Sequence, residues 1–178
     1  APPCSALIYY GGTKITEVYA SYRFRHPFKP PAFHAALFLD RGLSLQVGAY
    51  KTIQAVTNGF RSTRRIDIIS YKHIPAEIKE AILRTAYDGA DEPKLLKAPT
   101  YGIWDFVRFE PLFRWIPKSK KQICSEHVHS VFAKHGYEIA IKPKHTEVAP
   151  WQIYEFSLEN PDKCEIKTLW VGKDFKNG

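Results

Sequence analysis

Three residues could make up a nucleophilic centre: Cys124, His34 and Gln54. Cys124 opens the stretch CSEHVHSVFAKHG, where Val128, Val131 and Phe132 recur at helical spacing. The spacing 124, 128, 131 sets the thiol on the apolar face, pointing at the core rather than at bulk water. A thiol at a helix start feels the positive end of the helix dipole. With a protonated His beside it, the thiol pKa can fall from about 8.5 to about 3.5–7.5. The same position also suits an ordinary buried cysteine, since free Cys is commonly buried. Cys4 and Cys164 have no helix start and read as ordinary.

His34 sits inside AFHAALFLD, a run of Phe, Ala and Leu. An imidazole left unpaired there would cost roughly 1–3 kcal/mol, so it needs a partner. It is either a satisfied core histidine or a base with a thiol on one side and an orienting polar group on the other. Gln54 is the candidate orienter, because residues 50, 52, 54 and 56 alternate on one face of a strand. If that strand pairs with the His34 strand, the Gln54 amide oxygen accepts the ring N–H and fixes the tautomer. Residue type alone favours a surface glutamine.

These side chains need elements to hold them. Residues 5–10 (SALIYY) read as a strand ended by Gly11-Gly12, and residues 16–24 as a second. Residues 32–40 read as a buried central strand closed by Arg41-Gly42. Residues 43–47, 50–56 and 65–70 follow as strands, with Asn58-Gly59 as a turn. Residues 75–87 form the clearest helix, with Pro75 at the first helical position and Glu77 and Glu80 near the positive end. Residues 88–99 read as a linker and 101–108 as a short helix. Residues 124–135 form the second good helix, stopped by Gly136. Strands at 137–141, 152–158 and 166–171 complete the pattern. Strands, helices, then strands imply an α+β fold with a mainly antiparallel sheet.

The chain has 178 residues, about the length of one domain, and is read as a single unit over 1–178. An apolar fraction of 44% and a charged fraction of 25% exclude a disordered chain, a collagen and a coiled coil. No apolar run reaches the ~18 residues of a membrane span. Residues 1–12 lack a basic region and read as no signal peptide. With three cysteines and no disulfide framework, the expected setting is a reducing one, cytoplasmic by default.

The net charge is +8, and the basic residues cluster at 19–31, at Arg61, Arg64 and Arg65, and at Arg114, Lys118, Lys120 and Lys121. Such clusters are either a solvated surface or a patch for an anionic polymer, lipid or nucleic acid. No nucleic-acid motif accompanies them. Tyr101, Lys118 and Lys120, just before Cys124, are candidate substrate contacts. Cys124 and His127 lie one helical turn apart, but His129 points elsewhere. Closed zinc sites want four ligands, so the site is read without metal or cofactor.

HAALFLDRG followed by KTIQAVTNGF resembles the His strand, turn and next strand of NlpC-type papain-like cysteine peptidases. In those, the second strand carries the third polar residue, and Gln54 falls on that position. YGIWDFVRF resembles the helix that precedes the nucleophile. KQICSEHVHSVFAKHGYEI resembles the Cys-Ser-Glu-Leu-Val helix of the circularly permuted branch, in which His precedes Cys, with His127 in place of Leu. APWQIYEFSLE is similar to that branch's Ser-Pro ending. The likeness spans most of residues 5–158 and is nearest to YiiX-type hydrolases, with lecithin-retinol-acyltransferase-type enzymes more distant.

It implies a permuted papain-like fold and a hydrolase of peptide or amide bonds, with peptidoglycan, an anionic cell-wall polymer, as a candidate substrate. Cys124 would be the nucleophile, His34 the base and Gln54 the orienter. Two other readings stand beside it: a thiol acyltransferase or lipid hydrolase on the same scaffold, and a basic binding protein without turnover.

Overall fold

The computed structural model describes residues 2–11, 32–47, 51–61, 63–87, 124–141 and 148–172. The expected strand at 16–24, the short helix at 101–108, the basic clusters at 19–31 and 114–121, and the candidate contacts Tyr101, Lys118 and Lys120 lie outside them.

The described residues are α+β. Six strands form one sheet: β1 (Ser5–Tyr10), β2 (Ala32–Phe38), β3 (Leu43–Val47), β4 (Lys51–Ala55), β5 (Arg65–Tyr71) and β6 (Cys164–Val171). Their order across the sheet is β4-β3-β2-β1-β5-β6, and each neighbouring pair is antiparallel. The His34 strand β2 is therefore interior, as its apolar run implies. A tight turn joins β2 to β3: Leu39 N–H donates to Leu43 O at 3.0 Å and Leu43 N–H to Asp40 O at 2.7 Å. Gly42 at φ +78° supplies the left-handed backbone that this reversal requires. Asn58 and Gly59 fall inside a 3-10 helix, Val56–Arg61, rather than a simple turn.

Three α-helices are described: α1 (Ala76–Tyr87), α2 (Cys124–Ala133) and α3 (Pro150–Glu159). Among the described residues no helix is long and apolar enough to cross a membrane. α2 ends where Gly136 takes φ +82° and donates to Ala133 O at 3.0 Å.

Two sequence expectations fail. Residues 152–158 are helical, not extended, because Pro150 starts the helix and the Gln152 side chain caps it, accepting the Ala149 N–H at 2.6 Å. The buried set Pro150, Ile153, Tyr154 and Ser157 has helical spacing, which the β-favouring Trp, Ile, Tyr and Phe types conceal. Residues 137–141 are irregular. Ile139 and Ala140 are buried there, and Ile141 N–H donates to Gln152 O in α3 instead of entering a ladder.

The alternation of β1, β2 and β5 divides the core in two. On the helix side Ala6, Ile8, Leu37 and Ile69 meet Val128, Phe132 and Ile153. On the other side Leu7, Tyr9, Ala36, Phe38, Ile66 and Ile68 pack with Val56, Phe60 and Trp170. Phe132 is fully buried with its ring 5.0 Å edge-on to Tyr71. A side chain of this size contributes about 1.5–3 kcal/mol by burial, which docks α2 on the sheet.

Asp67, also fully buried on β5, is held by Arg65 Nε at 2.8 Å, Arg65 Nη2 at 2.7 Å and Thr168 Oγ1 at 2.9 Å. The ion pair lies within β5 and compensates the buried charge, while the Thr168 hydroxyl ties Asp67 to β6.

Candidate active site

Cys124 is the first residue of α2, on the face that carries Val128 and Val131, and is buried. The start of α2 is tied down by the next residue, Ser125, whose Oγ donates to Val148 O at 2.5 Å. Cys124 and His34 are hydrogen-bonded. The thiol thus stands at the positive end of a helix with an imidazole beside it, the arrangement that favours a thiolate nucleophile.

His34 reaches this position through an irregularity in its strand. Tyr9 pairs with His34 but Tyr10 pairs with Ala32, so Phe33 is an extra residue on β2. Such a bulge re-aims side chains locally. The Phe33 and Tyr9 rings lie near the imidazole, with centroids at 6.3 and 5.3 Å.

His34 Nε2 meets Gln46 Oε1 at 2.5 Å. Gln46 Nε2 donates to Tyr9 Oη at 2.8 Å and to Ser44 Oγ at 2.9 Å, so its amide oxygen is the atom left for the ring. An oxygen can only accept; hence Nε2 carries the proton, and Nδ1 is the nitrogen that serves the thiol. Burial works against the charged imidazolium. The negative charge and hydrogen bond of Cys124, followed by the hydrogen bond to Gln46, outweigh it and raise the His34 pKa above the usual 6.5. The three side chains form the order thiol, imidazole, amide.

The amide that meets the His34 ring is therefore Gln46, not the expected Gln54. Gln54 lies on β4, which pairs with β3 and is separated from β2 by it. Opposite Ser44, Gln54 takes part through its backbone carbonyl, which accepts from Ser44 Oγ at 3.3 Å. The signal for Gln46 was in the turn. A tight 39–43 reversal obliges β3 to pair with β2, and the observed register sets Phe38 opposite Ser44 and Leu37 opposite Leu45. Continued by one residue, it sets Gln46 opposite Ala36, one diagonal step from His34 and on its face.

The other sulfurs are unlike Cys124. Burial pushes the Cys4 thiol up to about 12 and raises that of Cys164. His129 on α2 pairs with Glu138 through Nε2 at 3.0 Å and lies in no metal cluster among the described residues. No protein-family model and no curated protein matches this chain.

Proposed function

We propose that this protein is a cysteine hydrolase of peptide or amide bonds, working through an acyl-enzyme on Cys124. The observation that carries the reading is the Cys124–His34 hydrogen bond at the start of α2, with the far side of the imidazole held by Gln46. Cys124 Sγ attacks the substrate carbonyl carbon, forming a C–S bond and an oxyanion. The Cys124 backbone N–H, in the first turn of α2, is an oxyanion donor. The intermediate collapses with cleavage of the C–N bond while His34 gives its Nδ1 proton to the leaving amine. Water then attacks the thioester, His34 takes its proton, and the C–S bond breaks to restore thiolate and imidazolium.

The resemblance of HAALFLDRG and CSEHVHSVF to the permuted NlpC-type branch supports the same chemistry. With the charge of +8 it favours an anionic polymer with amide linkages, such as peptidoglycan. A thiol acyltransferase would share every step up to the thioester and differ only in the acceptor. Adding a primary amine to the reaction separates them, since an acyl-amine product grows at the expense of acid only where the acceptor site is open.

The test of the reading is alkylation with iodoacetamide at pH 6–7 followed by peptide mapping. Cys4, Cys124 and Cys164 are 0%, 3% and 4% exposed, so exposure does not distinguish them and ionisation must. Cys124 reacts well ahead of the other two, and His34→Ala removes its lead. Equal labelling of all three cysteines would overturn the proposal.

A further inference from the structure

We propose that Tyr9 and Ser44 are positioning residues that lock the Gln46 amide with its oxygen toward His34, and that Gly59 seats the Tyr9 ring in that lock. The inference rests on the acyl-transfer reading above for its effect on rate, but not for its effect on the imidazole.

The argument is one of hydrogen-bond direction. An amide can turn over, exchanging O for NH2 at almost the same shape, and the exchange would be ruinous here. An NH2 facing His34 would claim the Nε2 lone pair, move the neutral ring's proton to Nδ1, and leave no base for the thiol proton. The hydroxyls of Tyr9 and Ser44 could serve either orientation, because each can donate or accept. What fixes the direction is the Gln54 backbone carbonyl, which can only accept. Ser44 Oγ donates its single proton there, so it presents lone pairs to Gln46 Nε2. Tyr9 hydrogen-bonds both Ser44 and Gln46, and burial raises the pKa of its phenol and keeps it protonated. It gives its proton to Ser44 Oγ and turns a lone pair to Gln46 Nε2, at 2.8 Å. Both Gln46 amide hydrogens are then spent on the hydroxyls, and only the oxygen remains for the ring. A carbonyl on β4 thereby sets the tautomer of a histidine on β2.

The Tyr9 hydroxyl is useful only if its ring lies where it does. Gly59, in the 3-10 helix, lets it: a Cβ there would stand 2.6 Å from Tyr9 Cε1 and 3.3 Å from Cδ1. Tyr9 is 2% exposed in the second core, with Ile66 Cδ1 3.5 Å from the same Cβ, so the ring has little room to yield. Thr63 Oγ1 donates to Gly59 O at 2.8 Å and holds this backbone in place.

The test uses the full chain, labelled with 15N-histidine, in a Cys124→Ala background where the thiol no longer acts on the ring. Two-bond 1H–15N spectra across pH 5–9 give the neutral tautomer and titration midpoint of His34. The expected reference is an Nε2–H tautomer. Tyr9→Phe, Ser44→Ala and Gly59→Ala each introduce Nδ1–H tautomer and move the midpoint to lower pH, as Gln46→Ala does; Ser44→Thr, which keeps the hydroxyl, restores both.

With Cys124 intact, the same changes lower kcat by roughly 10-fold with KM little altered, as expected for misplacement of a reacting group. If Gln46→Ala shifts His34 but Tyr9→Phe and Ser44→Ala leave tautomer and midpoint untouched, the lock is overturned while the orienter stands. If Gln46→Ala shifts neither, orienter and lock fall together. Neither spectral result depends on turnover, so a failed hydrolase reading is told apart from a failed lock.

Discussion

Cys124→Ala abolishes the burst of p-nitrophenolate released from p-nitrophenyl acetate, and with it the acyl adduct seen by intact-protein mass spectrometry. Among the described residues, Cys4 and Cys164 do not open a helix. His34→Ala keeps the thiol but removes both the base and the charge that stabilises the thiolate. It costs roughly 10³- to 10⁴-fold in acylation rate, or about 4–5.5 kcal/mol of barrier. The two losses do not add, because thiol and imidazole act as one unit, and the double variant is no worse than Cys124→Ala alone. A burst that survives Cys124→Ala would assign the acyl group to another residue and end the proposed mechanism.

The second large effect separates two glutamines. Gln46→Ala lowers kcat by ~10- to 100-fold, roughly 1.4–2.7 kcal/mol of barrier, while Gln54→Ala, which leaves the backbone carbonyl in place, stays within about twofold. The pH profile gives the sign. The active pair is thiolate with imidazolium, so activity falls on the alkaline side as His34 loses its proton, at a pH above the usual 6.5 because Cys124 and Gln46 favour the charged ring. Gln46→Ala removes one of those influences and moves the alkaline limb to lower pH. Gln46→Glu sets a carboxylate beside Nε2 and moves it to higher pH. Rates measured from pH 5 to 10 in the two variants check both directions. A limb that moves with Gln54 rather than Gln46 would reverse the assignment.

Why the sequence led to Gln54 is instructive in physical terms. Both glutamines sit in strands of similar pattern, LSLQV and KTIQA, and both project from the same face of the β3–β4 hairpin. Alternation alone cannot separate them; only the order of strands can. That Cys124 and His34 are unusual was legible because each violates its surroundings: an imidazole in an alanine–leucine run and a thiol at the first position of an amphipathic helix. The bulge at Phe33 was not legible, since nothing in the local residue types requires an extra residue opposite Tyr9. Residues 152–158 read as a strand because Ile153, Tyr154 and Phe156 favour strands by type. The decisive information lay in Pro150 and in the reach of Gln152 back to Ala149.

Cys124 and His34 belong to different layers. His34 is fixed in the sheet, whereas Cys124 arrives on a ten-residue helix whose hold on that sheet comes from packing by side chains such as Val128, Val131 and Phe132. A helix of this length has little stability of its own in water. Local opening that lifts it away from β2 therefore parts thiol from imidazole while the six-stranded ladder remains intact. Reactivity is in this sense a gauge of docking: on warming or in denaturant it fades with hydrogen-exchange protection of the helix, ahead of the loss of strand amides. Substitutions that loosen Phe132 lower the fraction of competent molecules without touching a reacting atom.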